Sequence, residues 1–271
     1  MAQLRRVVPR TVCIRAWLQP CRPVAHSSEP VVARTRNGIW TAMCNRFRAA
    51  YFTRHAFEEQ FQACDEIEGV PRFNVAPTQP VLTVRSESGK RRIKEMRWGL
   101  IPSWARDIKS GNFNARSESI TTTPSFRDLI HTNRCLVPAD AFYEWQRTGA
   151  VKQPFAFEIG DGKLFAFAGL WDEWKDPNGR AIQSCTILTT EANELVAELH
   201  DRMPVILSPE QYAAWLNSET PLHEALALLK PFDSRAMHKY PVSTRLNNSQ
   251  NEGKDVAARI AIEVPAQGRL F

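Results

Sequence analysis

Met43-Cys44-Asn45-Arg46-Phe47 holds a thiol where processing of the chain would set a second nucleophile beside it. If translation starts at Met43 and that Met is removed, Cys44 carries a free α-amine and a thiol on adjacent carbons. Unperturbed, the amine titrates near about 8 and the thiol near about 8.5, so both are partly available at neutral pH. An aldehyde meeting that pair condenses with the amine to an imine, and the sulfur then closes a five-membered thiazolidine. Three more polar residues stand where a core would not choose them. Asn114 lies in a polar stretch after Gly111, Glu144 is enclosed in Phe142-Tyr143-Glu144-Trp145, and His200 follows an apolar helical face and precedes Asp201. Each also has a plainer use: Asn114 holding a turn, Glu144 facing solvent from a strand, His200 closing a helix where the macrodipole favours it. A carboxyl packed by aromatic rings, however, would keep its proton to higher pH. With an imidazole alongside, it would supply the acid–base pair that imine chemistry needs.

Tryptophan and arginine form a second theme. The run 96–106 interleaves Trp98 and Trp104 with Arg97 and Arg106. Bases stacked on aromatic rings, with arginines on the phosphates, is how single strands are held without reading sequence. The plainer reading puts Trp98 in the core and makes Trp104 a loop anchor.

The net charge of +6 over 271 residues looks like a nucleic-acid signature until it is located. Residues 1–42 hold seven arginines, no lysine and one acid, Glu29, which is a net of +6. The remainder holds 28 basic and 28 acidic residues, so any nucleic-acid surface on the body must come from local clustering. The leader breaks at Pro9, Pro20, Pro23 and Pro30 and lacks the apolar run of a secretory signal. It is expected to carry no fold, either as a disordered extension or because translation begins at Met43; a transit peptide is the lesser reading. No run approaches eighteen apolar residues, which speaks against a spanning helix. The six cysteines are scattered without metal-ligand spacing. Cys135 and Cys185 are expected as small core residues, and a reducing cytosol fits best.

These residues need a scaffold, and the body from Cys44 reads as one continuous α+β domain, 43–271. Helices are predicted over 54–64, 191–199 and about 222–229, with a further helix start at Ser208-Pro209-Glu210-Gln211. Strands are predicted over 81–85, 93–98, 134–137, 155–159, 164–170 and 184–189. Asp161-Gly162 reads as a hairpin turn between two of them, and 247–255 as polar loop. Many strands with few βαβ repeats predict a curved, mostly antiparallel, barrel-like sheet with peripheral helices.

Together the motifs resemble the SRAP family, the SOS-response-associated peptidase or abasic-site-processing proteins. The matching segments are 43–47, Arg-Phe-Asn-Val-Ala-Pro-Thr at 72–78, Arg-Trp-Gly-Leu-Ile-Pro-Ser-Trp at 97–104 and Asn-Ala-Arg-Ser-Glu at 114–118. They continue with 134–145, 165–171, Leu-His-Asp-Arg-Met-Pro at 199–204 and Pro-Val-Ser-Thr at 241–244, eight segments in family order. The resemblance implies a protein that covalently captures abasic sites in single-stranded DNA, needs no metal or cofactor, acts as a monomer and resides in the cytosol or on the nucleoid. It makes Cys44 the crosslinking nucleophile, Asn114 the residue holding the opened sugar, Glu144 the principal acid–base and His200 a second proton-transfer group. It makes Arg46 and Arg116 phosphate and lesion contacts, sets Asn74 in the same pocket, and has Trp104 stack on bases beside the lesion. The family's cysteine follows its initiator Met directly, which here would be Met43. Two rival readings remain: a conventional cysteine peptidase built on Cys44, His200 and Glu144 or Asn114, and a non-catalytic single-strand-binding module.

Overall fold

The computed structural model describes residues 45–50, 53–63, 65, 70–108, 111–148, 151–160 and 162–261. The leader and Cys44 lie outside the described residues. In chain order the elements are β1 (Phe47–Ala49), α1 (Arg54–Phe61), β2 (Arg72–Val75), β3 (Pro80–Glu87), β4 (Lys90–Trp98), β5 (Asn114–Arg116), α2 (Leu129–Thr132) and β6 (Arg134–Ala139). They continue with β7 (Ala141–Thr148), β8 (Val151–Ile159), β9 (Phe165–Lys175), β10 (Ala181–Glu191), α3 (Glu194–Ala197) and β11 (Arg202–Pro204). The last are β12 (Ile206–Leu207), α4 (Tyr212–Leu216), α5 (Leu222–Ala227) and β13 (Met237–Pro241).

Two sheets result. One takes the order β13-β8-β7-β1-β2. In the other, β10-β4-β3-β6-β9 lie side by side, and β9 pairs back onto β10, so the five strands close into a barrel. β5 and β11 extend from β10, and β12 from β9. Only β10–β4 and β10–β5 are parallel among the strand pairings of the described residues. The α+β, mostly antiparallel, barrel-like expectation is what the chain adopts.

Alternation explains the layers. Along β9, Phe165 and Phe167 enter a cluster with Trp98 of the barrel and with Phe47, Phe142 and Phe157 of the open sheet. Ala166, Ala168 and Leu170 turn the other way, toward Phe57 and Phe61 of α1 and Tyr212 and Trp215 of α4. The first cluster joins the two sheets into one unit. Phe47 meets Trp98 edge-on, centroids 5.1 Å apart, which anchors β1 beyond its area of burial by about 0.5–1.5 kcal/mol. Trp98 is core, as expected, and its Nε1 donates to Phe113 O at 2.9 Å. Cys135 and Cys185 are buried small core residues.

All six predicted strands form, several longer than their apolar runs. The helix start at Ser208 carries the expected capping box. Two expectations fail. The hairpin expected between β8 and β9 does not form, because β8 belongs to the open sheet and β9 to the barrel; Asp161 lies outside the described residues, and Gly162, at φ +73°, turns the chain from one sheet to the other. The helix predicted over 191–199 shrinks to 194–197, capped by Asn193, whose Oδ1 accepts from Val196 N at 3.0 Å. Glu191 stays in β10 because it pairs with Arg202 of β11. No described helix is long and apolar enough to cross a membrane.

Candidate functional site

Arg46 and Glu144 come together because β1 and β7 are antiparallel neighbours. Phe47 stands opposite Phe142, and Tyr143 N donates to Arg46 O at 3.0 Å. Beyond that bond β7 runs on to Thr148 while β1 has ended. A cleft of about 510 Å³ opens at this point, lined by Asn45, Arg46, Glu144, Trp145, Lys152 and His200 among others. Glu144 is 3% exposed and stands directly across from Phe155 of β8. Its neighbours in sequence, Tyr143 and Trp145, point to the opposite face, as alternation requires. The rings beside the carboxyl therefore come from Phe142 on its own face and Phe155 across the ladder.

His200 reaches the cleft from the barrel side, at the end of the α3 turn. Arg202 N donates to its Nδ1 at 3.0 Å. That bond makes Nδ1 the acceptor in the neutral ring and leaves the hydrogen on Nε2. Asp201 Oδ1 also lies 3.0 Å from Nδ1.

Arg46 is held from behind. Its Nη1 donates to Asn74 Oδ1 at 2.9 Å and to Leu246 O at 3.0 Å, while its buried Nε has no hydrogen-bond partner among the described residues. Burial pulls the guanidinium below its ordinary value, so a bound anion would be a favourable counterpart. Asn74 differs from the expectation that it lines the pocket. It is fully buried, and its Nδ2 reaches the carbonyls of Leu246, Asn248 and Asn251 at 2.9–3.2 Å. It positions Arg46 and straps down the 246–251 segment. That segment, read as polar loop, forms a firm wall: Asn247 Oδ1 accepts from Trp145 Nε1 at 2.6 Å, and Asn251 Nδ2 donates to Arg245 O at 2.7 Å.

Asn114 and Arg116 lie outside the described lining of this cleft. They share one face of β5, with Ala115 buried on the other, and pair with Ile187 and Thr189 of β10. Arg202 ties this arm to the His200 arm. It grips Glu118 with Nη1 at 2.7 Å and Nη2 at 2.9 Å, and also donates to Thr189 O at 2.8 Å. The hydrogen bond from Arg202 holds the Glu118 carboxyl below the usual carboxylate range. Arg202 and Glu118 were invisible as a pair in the sequence, 84 residues apart.

Trp104 is not among the residues lining this cleft and is 65% exposed. Its turn is rigid: Ser103 N donates to Asp172 Oδ2 at 2.7 Å, and Trp174 Nε1 donates to Ala105 O at 2.7 Å. Phe113 and Ile108 are the other exposed apolar side chains of this stretch, which sequence reasoning did not single out. Gly99, at φ +125°, lets Arg97 fold back; a Cβ there would meet Arg97 Nη1 at 2.8 Å. Arg97 donates to Gly99 O at 2.7 Å. Trp145, Lys152 and Asn247, all in the cleft, were also missed; Asn247 becomes a wall residue only through long-range contacts.

Residues 43–249 match the family model described as SOS response associated peptidase (SRAP). The abasic site processing protein YoqW of Bacillus subtilis is 41% identical over 221 residues, spanning 79% of this chain and 98% of that protein. The abasic site processing protein HMCES of Gallus gallus is 32% identical over 269 residues, spanning 86% of this chain and 79% of that protein. Among solved structures, a Bordetella bronchiseptica protein superposes with a TM-score of 0.66 at 27% identity, over 74% of this chain and 100% of that one. A Bacteroides thetaiotaomicron protein gives 0.64 at 31% identity, over 69% and 85%.

Proposed function

This chain belongs to the SOS response associated peptidase (SRAP) family, and on that footing we propose that it captures abasic sites in single-stranded DNA through a covalent bond to Cys44. The observation that carries the reading is the cleft. Arg46, Glu144 and His200 line it together with Asn45, the residue that follows Cys44 in the sequence. A carboxyl, an imidazole and a cation thus meet in the cleft that the residue after Cys44 lines.

The chemistry runs in three steps. Glu144 or His200 moves the proton that opens the closed deoxyribose, freeing the C1′ aldehyde. The Cys44 amine adds to that carbon and water leaves, giving the imine. The Cys44 sulfur then adds to the imine carbon while its proton passes to nitrogen, closing the thiazolidine. An imine alone invites β-elimination and strand scission; ring closure removes it. Arg46 and Arg116 hold phosphates, Asn114 holds the opened sugar, and Trp104 stacks a base on the neighbouring surface. The same thiol, carboxyl and imidazole suit removal of whatever precedes Cys44, a peptidase step that would expose the amine. Translation from Met43 followed by Met removal would reach the same state.

The test is a denaturing gel of the protein started at Met43 with an abasic-site oligonucleotide. The expected result is a heat-stable shifted band that Cys44→Ala and N-terminal acetylation both abolish. A band that survives acetylation overturns the amine's role. DNA affinity without any adduct supports the binding-module reading instead.

A further inference from the structure

We propose that Trp145 and Lys152 form a second subsite in the cleft, which holds the nucleotide next to the lesion, its base on the indole and its phosphate on the ammonium. The inference rests on the abasic-site reading above. It begins from the way the cleft straddles the edge of β7. Glu144 and Trp145 are successive residues on a strand, so their side chains leave on opposite faces, yet both line the same cavity. The acid and His200 both line the cleft, and the indole reaches Asn247.

The indole wall has no task in the chemistry at C1′. An abasic unit has lost its base, so the lesion itself offers nothing flat to stack. An aromatic ring fixed beside it calls for a base from elsewhere on the strand. Trp145 is fixed in the required way: the cluster around Tyr143 and Tyr240 supports it, and its Nε1 is pinned to Asn247 Oδ1 at 2.6 Å. Little side-chain entropy remains to be lost when a base arrives. Asn247 also donates through Nδ2 to Lys152 O at 3.1 Å, which draws the Lys152 strand to the same wall.

Lys152 is exposed, lines the cleft, and has no carboxylate within 4.0 Å among the described residues. The nearby acid that could have claimed it, Glu198, is instead paired with Lys239 at 2.5 Å. Arg46 and Lys152 therefore supply two separate cations to one cleft. Two cations and an aromatic ring in one cleft is the composition from which sequence-independent single-strand sites are built.

Binding of an unmodified single-stranded oligonucleotide to the full chain, measured by anisotropy over a salt series, tests this. Trp145→Ala is expected to weaken binding about five- to tenfold. Trp145→Phe, which keeps a ring, should retain most of the affinity and so guards against a folding artefact. Lys152→Gln should lower the slope of log K against log salt by about 0.7, the share of one single-strand phosphate, and Lys152→Arg should restore it. A third arm uses an abasic oligonucleotide whose two flanking nucleotides also lack bases; there the Trp145→Ala penalty should vanish. The subsite is overturned if Lys152→Gln leaves the slope intact, or if Trp145→Ala costs the same with and without flanking bases, while the wild type still forms its adduct. If these variants alter peptide cleavage and not DNA binding, the wall is a peptide channel and the proposal is equally wrong. Failure of the wild type to form any adduct brings down the underlying reading, and the subsite with it.

Discussion

Arg46 Nη1 donates to Asn74 Oδ1 at 2.9 Å, and the other end of the same amide holds three carbonyls of the 246–251 segment. One fully buried side chain thus orients a cation of the cleft and ties down the segment beside it. Asn74→Ala strands several buried polar groups at once. A loss of roughly 1–3 kcal/mol in unfolding free energy is expected, together with slower DNA capture. Urea denaturation checks the first part, and an unshifted midpoint would refute the strapping role.

On the capture mechanism proposed above, Glu144 and His200 are expected to divide the proton transfers unequally. Glu144 is 3% exposed and sits against the Phe142–Phe155 side of its sheet, whereas the His200 ring is oriented by a backbone N–H. Glu144→Gln is expected to slow adduct formation by on the order of 10²-fold, and His200→Ala by less. Single-turnover rates on an abasic oligonucleotide decide it. A larger loss in His200→Ala reverses the assignment.

Trp104 separates binding from stability. Being 65% exposed on a turn held by other residues, its truncation to Ala should change stability by no more than about 0.5 kcal/mol. Affinity for single strands should nonetheless fall by about 1–3 kcal/mol. Equal DNA affinity in wild type and variant would remove it from the interface.

Beneath β1, Arg48 bridges Asp140 and Glu158, and Tyr240 donates to Glu158 at 2.5 Å. Burial pushes the Glu158 carboxyl up, but hydrogen bonds from Tyr240, Arg48 and His238 outweigh it and hold it below the usual range. A carboxyl lowered on folding stabilises the fold fully above its unfolded value, about 4.3, and less as pH falls through its folded value. Tyr240 is pushed up to about 12, by burial first and by the Glu158 hydrogen bond second. A raised phenol stabilises fully below about 10 and loses that stabilisation as pH climbs toward 12. Thermal unfolding across pH should therefore fall away at both ends. Glu158→Gln should lower Tm at neutral pH and flatten the acid limb; an acid limb of unchanged steepness would contradict the network.

The strands were legible because alternating large and small residues, as in Phe165-Ala166-Phe167-Ala168, encode two buried faces wherever the strand ends up. The capping box at Ser208 was legible because its hydrogen bonds join residues three apart. Asp161-Gly162 misled for the complementary reason. A turn signal tells that the chain changes direction, and β8 and β9 changed sheets instead of pairing. Asn74 was read as a pocket residue and is a strut, because the three carbonyls it holds lie more than 170 positions away.

The sequence by itself determined the chemistry on offer: a thiol, a carboxyl among aromatics, an imidazole, and arginines beside tryptophans. Residue type alone fixes what a side chain can donate, accept or attack. Which of these meet was decided only by tertiary structure. A ring beside Glu144 comes from Phe155 across the ladder, the orientation of Arg46 from Asn74, and the link between the Asn114 and His200 arms from Arg202 and Glu118. Register and cross-sheet packing join residues far apart in the chain, and no local pattern records a contact whose other half is encoded elsewhere.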